Sequence, residues 1–201
     1  RVALREKHHG VWREVSWADY EHRVAACARA LWDLGVRAGD HVAILSDNRP
    51  EWIYADLAIQ GIGARSVGIY QTNPPEDVAY VLSHSQSRVL ICEDQEQLDK
   101  AVDVREQTPT VEHVVVIDPR GLRGCDDPRV RLWDPLVSDG ADRMREEPDW
   151  FRAQVGECSG DEPAMVVYTS GTTGQPKGAM ITGVNALCVG AALADVFQAT
   201  S

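Results

Sequence analysis

Residues 168–178 read Tyr168-Thr169-Ser170-Gly171-Thr172-Thr173-Gly174-Gln175-Pro176-Lys177-Gly178, a combination suited to gripping a polyphosphate. Backbone must come close to the phosphate oxygens, which small residues permit, and glycine also reaches angles that turn N–H groups toward an anion. Gly171, Gly174 and Gly178 meet that need. The hydroxyls of Thr169, Ser170, Thr172 and Thr173 add donors, and Lys177 supplies a compensating cation. Pro176 stiffens the approach to the lysine by fixing its own φ. We read Thr169 to Gly174 and Lys177 as phosphate contacts, with Tyr168, Pro176 and Gly178 as supports. By composition alone an ordinary surface turn carries equal weight, because turns use the same residues. A Walker-type loop does not fit: Pro176 stands where its second glycine belongs, and Gly178 follows Lys177 in place of Ser or Thr. A dinucleotide G-x-G-x-x-G is also absent here.

No other constellation competes. Cys27, Cys92, Cys125, Cys158 and Cys188 form no C-x-x-C pair, and Cys92 and Cys188 lie in apolar runs that suit buried thiols. His8-His9 reads as a solvated pair, and no H-E-x-x-H spacing occurs. No residue is a credible nucleophile or general base, so we assign none as catalytic and leave any metal site unassigned. A formal net charge of −11 opposes nucleic-acid binding, which needs a basic footprint. The longest apolar stretch, Ala186 to Ala194, reaches about half the length of a membrane span. No transmembrane segment is expected, though peripheral contact with a membrane surface stays compatible. Scattered cysteines and the lack of a signal peptide fit a reducing cytoplasm. The chain opens on Arg1 and is expected to be an excised segment.

The loop must be positioned by regular elements, and the 201 residues supply them. Ser16 can cap a helix in which Trp17, Tyr20, Val24, Ala28, Leu31 and Leu34 recur at helical spacing, with Gly35 as a stop. His41 to Ser46 reads as a buried strand, and Pro50 opens a helix expected to turn Ile53, Leu57 and Ile62 inward. Strands at 65–69, 88–92 and 113–117 alternate with helices at 75–85 and around 98–105. Continuous Val/Ile/Leu strands separated by helices imply an α/β fold: three layers, a mainly parallel sheet, helices on both faces. Between Asp118 and Glu162 glycines and prolines interrupt the pattern. We read 118–162 as an irregular surface excursion with a strand near Leu132 and one helix from Met144 to Val155. Ala164 to Tyr168 is again a strand, and the loop leaves its carboxyl end, where open parallel sheets seat ligands. A short strand at 179–182 and a largely buried helix follow, the latter marked by Val184, Leu187, Cys188, Ala191 and Ala194. The tryptophans are read as core, and Asn48 to Trp52 as a helix start.

Tyr168 to Gly178 resembles, at nearly every position, the signature loop of the AMP-binding (adenylate-forming) superfamily of acyl-CoA synthetases, luciferases and peptide-synthetase adenylation domains. Gly39 to Leu45, Asn48 to Trp52, Asp56 to Ala58, Gly63-Ala64 and Val67 to Tyr70 resemble the amino-terminal region of long-chain acyl-CoA synthetases. Gly183 stands where family members commonly carry histidine, although Asn185 fits. The resemblance implies that residues 1–201 are the amino-terminal portion of an adenylating large domain, truncated at the carboxyl end. It also implies ATP, Mg2+ and coenzyme A, with a long-chain fatty acid as the carboxylate. The reaction would pass through an acyl-adenylate to an acyl-CoA thioester. The family's later motifs for adenine, Mg2+ and ribose, and its late lysine, are missing, so the segment alone is expected to be inactive. The alternatives are a non-catalytic nucleotide-binding fragment, an adenylating enzyme for aryl or amino acids, and a phosphotransferase.

Overall fold

A computed structural model describes residues 1–8, 10–122, 125–169 and 174–197. The chain opens with an antiparallel hairpin of β1 (Val2–His8) and β2 (Val11–Ser16), which sequence reasoning did not identify. Its burial does not alternate cleanly, so the period-2 signal is weak. Ser16 then caps α1 (Trp17–Asp33): its Oγ accepts from Asp19 N, and the Asp19 carboxylate accepts from Ser16 N in return. Gly35, at φ +93°, ends this helix in a conformation that favours glycine.

The alternating pattern builds a seven-stranded sheet. Its elements are β3 (His41–Leu45), α2 (Pro50–Gly61), β4 (Arg65–Ile69), α3 (Pro75–Ser85), β5 (Val89–Cys92), α4 (Gln95–Asp103) and β6 (His113–Val116). They continue with β7 (Val130–Leu132), α5 (Trp133–Glu146), α6 (Trp150–Glu157), β8 (Pro163–Thr169), β9 (Lys177–Thr182) and α7 (Gly183–Val196). The order across the sheet is β7-β6-β5-β3-β4-β8-β9, parallel except for β9, which returns antiparallel to β8. Successive residues of each central strand feed opposite cores. Val42, Ile44, Val89, Ile91 and Val115 meet α1 and α2; Ala43, Leu45, Val67, Leu90, Cys92, Val114 and Val116 meet α3 and α4. The expected three-layer α/β architecture is therefore present.

Several local expectations are corrected. The single helix expected from Met144 to Val155 is two helices, because α5 ends at Glu146 and Pro148 intervenes before α6. The first of them, α5, docks tightly: Gly140 is buried so close to α1 that a Cβ there would stand 2.2 Å from Ala26 O. Of the three residues expected inward on α2, Ile62 is buried and Ile53 half-buried but Leu57 is exposed, and Tyr54, Ala55, Ala58 and Ile59 complete the inward face. Trp133 is buried, but Trp12 and Trp17 are exposed. The largest correction concerns α7, expected to be largely buried. Val184, Leu187, Val189 and Leu193 are exposed, as is Cys188, because no other described element covers that helix. No helix among the described residues is long and apolar enough to cross a membrane.

Candidate functional site

The loop joins two antiparallel neighbours at one side of the sheet. Tyr168 pairs with Gly178 and Thr169 with Lys177, so the ends of the loop are held face to face by the β8–β9 ladder. Lys177 is thus the first residue of β9, two positions before the strand start expected from sequence, and it is exposed. Thr169, Gly174 and Gln175 are exposed, and Gly174 has φ +98°, a backbone conformation that favours glycine. Ser170, Gly171, Thr172 and Thr173 lie outside the described residues.

The three supporting positions are brought together. Tyr168 is half-buried against the core beneath α3, and its partner Gly178 leaves room for the ring. A Cβ at Gly178 would stand 3.2 Å from Tyr168 Cζ and 2.8 Å from Val166 Cγ1. Burial, with Tyr80 nearby, pushes the Tyr168 phenol above its ordinary value, so the hydroxyl stays protonated at neutral pH. Pro176 offers its carbonyl inward, where it accepts a hydrogen bond from Tyr80 Oη at 2.9 Å.

Tyr80 and His84 are the residues that sequence reasoning missed. They sit four apart on α3, on one helix face, with their rings stacked at 5.4 Å between centroids. His84 Nδ1 lies 2.7 Å from Tyr168 Oη, and the Tyr80 and His84 rings both meet Tyr168 edge-on. The i, i+4 aromatic spacing was a visible signal, but nothing in the sequence linked it to a loop about ninety residues later. 

Beside the loop, a cleft of about 200 Å³ opens at the carboxyl ends of β3, β4 and β8. Asn48, Trp52, Asp56, Ser66, Tyr70 and Val167 line it. Asp56 is the one deeply set carboxylate there. Burial raises its pKa above the ordinary value, while hydrogen bonds from Ser66 Oγ (2.5 Å) and Gln60 Nε2 (2.9 Å) oppose the rise. Asn48 to Trp52 starts a helix as expected, with Pro50 in the first turn and Glu51 accepting from Arg49 Nε at 2.7 Å. The Glu93 carboxylate after β5 accepts from Asp47 N at 2.7 Å, fixing the turn after β3. Among the described residues no cluster of three His, Cys, Asp or Glu side chains could hold a metal ion.

A parallel α/β sheet with a Gly/Thr/Ser loop and a lysine at the carboxyl end of a strand defines a class of ligand-binding proteins. The chain belongs to the AMP-binding enzyme family, whose model matches residues 1–200. Relatives include a long-chain-fatty-acid–CoA ligase of Mycobacterium bovis, 35% identical over 176 residues, which cover 88% of this chain and 28% of that protein. A human long-chain-fatty-acid–CoA ligase is 30% identical over 199 residues, covering 98% of this chain and 29% of its own length. The chain therefore spans under a third of these relatives. Among solved structures, an anthranilate CoA ligase in complex with anthranoyl-AMP aligns with TM-score 0.67 and 29% identity, over 85% of this chain and 30% of that one. A Brucella canis acyl-CoA synthetase aligns with TM-score 0.72 over 96% of this chain and 33% of its own, and at 22% identity it shows the fold alone. The resemblance carried by Tyr168 to Gly178 and the upstream motifs is borne out: this is an adenylate-forming ligase fold of the acyl-CoA ligase kind.

Proposed function

We propose that the full-length protein carrying this chain is an AMP-forming acyl-CoA synthetase acting on a long-chain fatty acid, and that residues 1–201 open its adenylating domain. One observation carries the reading: in a chain matched by the AMP-binding family, the Thr169–Lys177 loop stands on a β8–β9 hairpin at the ligand-bearing end of a parallel sheet. The names of the relatives favour a fatty acid over an aryl or amino acid.

In this reading the substrate carboxylate attacks the α-phosphorus of ATP, and the bond to pyrophosphate breaks. Thr169 to Gly174 hold the β- and γ-phosphates by backbone and hydroxyl donors, and Lys177 offsets the charge that gathers as pyrophosphate leaves. Mg2+ would share the phosphate charge of ATP. The thiol of coenzyme A then adds to the acyl carbonyl, AMP departs and a thioester forms. No side chain here needs to be a nucleophile, because the carboxylate and the thiol both come from substrates. The enzyme works in the cytoplasm, with contact to a membrane surface as a route to its apolar substrate.

The test is ATP–pyrophosphate exchange. With a long-chain fatty acid present, the full-length protein should exchange label and release AMP, and the 201-residue chain alone should not. Failure of the full-length protein across fatty, aryl and amino acids would sink the ligase reading. Exchange with an aryl or amino acid only would move the substrate class, ADP as product would indicate a phosphotransferase, and silence with retained ATP binding would leave a nucleotide-binding protein.

A further inference from the structure

Both ends of the loop lean on α3, a helix that lies far from it in sequence. Tyr80 Oη donates to Pro176 O at 2.9 Å on the β9 side, and His84 shares a hydrogen bond with Tyr168 Oη at 2.7 Å on the β8 side. The two α3 rings stack on each other at 5.4 Å between centroids, which places the two contacts side by side. Tyr168 is in turn seated over Gly178, where a Cβ would crowd its ring at 3.2 Å. The chain thus fixes the carbonyl just before Lys177 and the side chain just before Thr169 from one helix face.

The arrangement compensates for a local weakness. The β8–β9 ladder is at the end of the sheet, and Lys177, Ala179 and Met180 of β9 are exposed. Beyond Val167, where pairing with β4 ends, β8 pairs with β9 alone, and such a two-stranded end frays easily, whereas catalysis of phosphoryl-type transfer tolerates little misplacement of the binding groups. The buried core beneath α3 includes Val78, Val81 and Leu82, so this helix is a firm anchor. Its amino end begins at Pro75, and its carboxyl end closes at Gln86 in the left-handed conformation, φ +55°.

We propose that Tyr80 and His84 are positioning residues: an α3 latch that sets the spacing of the loop ends and so places Lys177 over the ATP phosphates. The loop's role in phosphate binding rests on the ligase reading above; the latch itself does not.

Two measurements on the full-length protein test it together. The first is amide hydrogen exchange over residues 169–178. Tyr80→Phe keeps the ring stack but removes the donor to Pro176, and should speed exchange there about fivefold, the equivalent of one ordinary hydrogen bond. Ser83→Ala serves as the control, since Ser83 Oγ lies on the same helix but donates to Gln107 O; it should leave exchange in the loop unchanged. The second is the ATP dependence of pyrophosphate exchange. Tyr80→Phe and His84→Phe should each raise the KM for ATP about fivefold with kcat within about twofold. Their combined effect should fall short of the product, as expected for one coupled unit.

Unchanged loop exchange in Tyr80→Phe overturns the latch. So does a lowered melting temperature with unaltered KM, which is what a merely structural role predicts. If the wild-type protein shows no pyrophosphate exchange with any acid while loop exchange still responds to Tyr80→Phe, the ligase reading fails and the latch stands.

Discussion

Strands β3 and β5 at the centre of the sheet and strands β8 and β9 at its edge are built from similar residues but live in different surroundings. Val42 to Leu45 and Val89 to Cys92 are wholly buried, with helices above and below. Of β8 only Val166 is buried, while Met180 in β9 is 65% exposed and Leu187 in the following helix 74%. Apolar character therefore does not decide burial; what stands opposite does. The centre is closed by the chain's own helices, and the edge, which carries the candidate site, is steadied through α3 contacts and left open elsewhere. Firm support beneath and open access above is a sensible division for a loop that must receive a ligand.

The sharpest way to break this comparison is to make the same truncation in both places. Leu90→Ala in β5 should cost about 3 kcal/mol of stability, as expected for a cavity in a tight core. Leu187→Ala in α7 should stay within about 0.5 kcal/mol. Denaturant midpoints of the two variants measure the difference, and equal losses would mean that α7 is covered by something in the protein studied.

A second prediction probes how firmly the closed side is packed. Gly140→Ala would place a methyl 2.2 Å from Ala26 O, a backbone atom that cannot rotate away. Pushing α5 off α1 should cost about 2 kcal/mol, despite the better helix propensity of alanine. A neutral or stabilised variant, read from the same denaturation curves, would show that α5 is only loosely docked.

The smallest effect concerns pH at the far side of the sheet. Hydrogen bonds from Arg120 hold the Asp118 carboxyl down at about 2, below its ordinary 3.8. A folded-state value below the unfolded one stabilises the protein above about pH 4, and that stabilisation is lost as pH falls toward 2. Arg120 is 81% exposed, so salt should screen the effect strongly. Asp118→Asn should flatten the stability profile between those pH values by slightly lowering stability near neutrality, and should leave stability near pH 2 unchanged.

Much of this was legible in the sequence because one periodic signal dominates each central element. Continuous apolar strands flanked by Pro50, Pro75, Gly35 and Gly39 fixed the parallel α/β pattern, and the Gly/Thr/Ser composition with Lys177 singled out the loop. Four features escaped for physical reasons. The hairpin of β1 and β2 has no clean alternation. The break between α5 and α6 falls at Pro148, in a stretch where charge obscures the helical face. The exposure of α7 could not be read from its own residues, since an apolar helix in the core and an uncovered one look alike. Tyr80 and His84 were missed because their partner is reached only through the fold.

Lys177 offers the most direct test of the central claim, that the β8–β9 loop grips ATP phosphates in an acyl-CoA ligase. In the full-length protein, Lys177→Ala should lower kcat/KM for fatty-acid-dependent ATP–pyrophosphate exchange by about a hundredfold, the scale for loss of a group that stabilises transition-state charge. Because Lys177 is exposed at the start of its strand, the melting temperature should barely move. Full activity in the variant, or a fall in activity that merely tracks a fall in stability, would contradict the account.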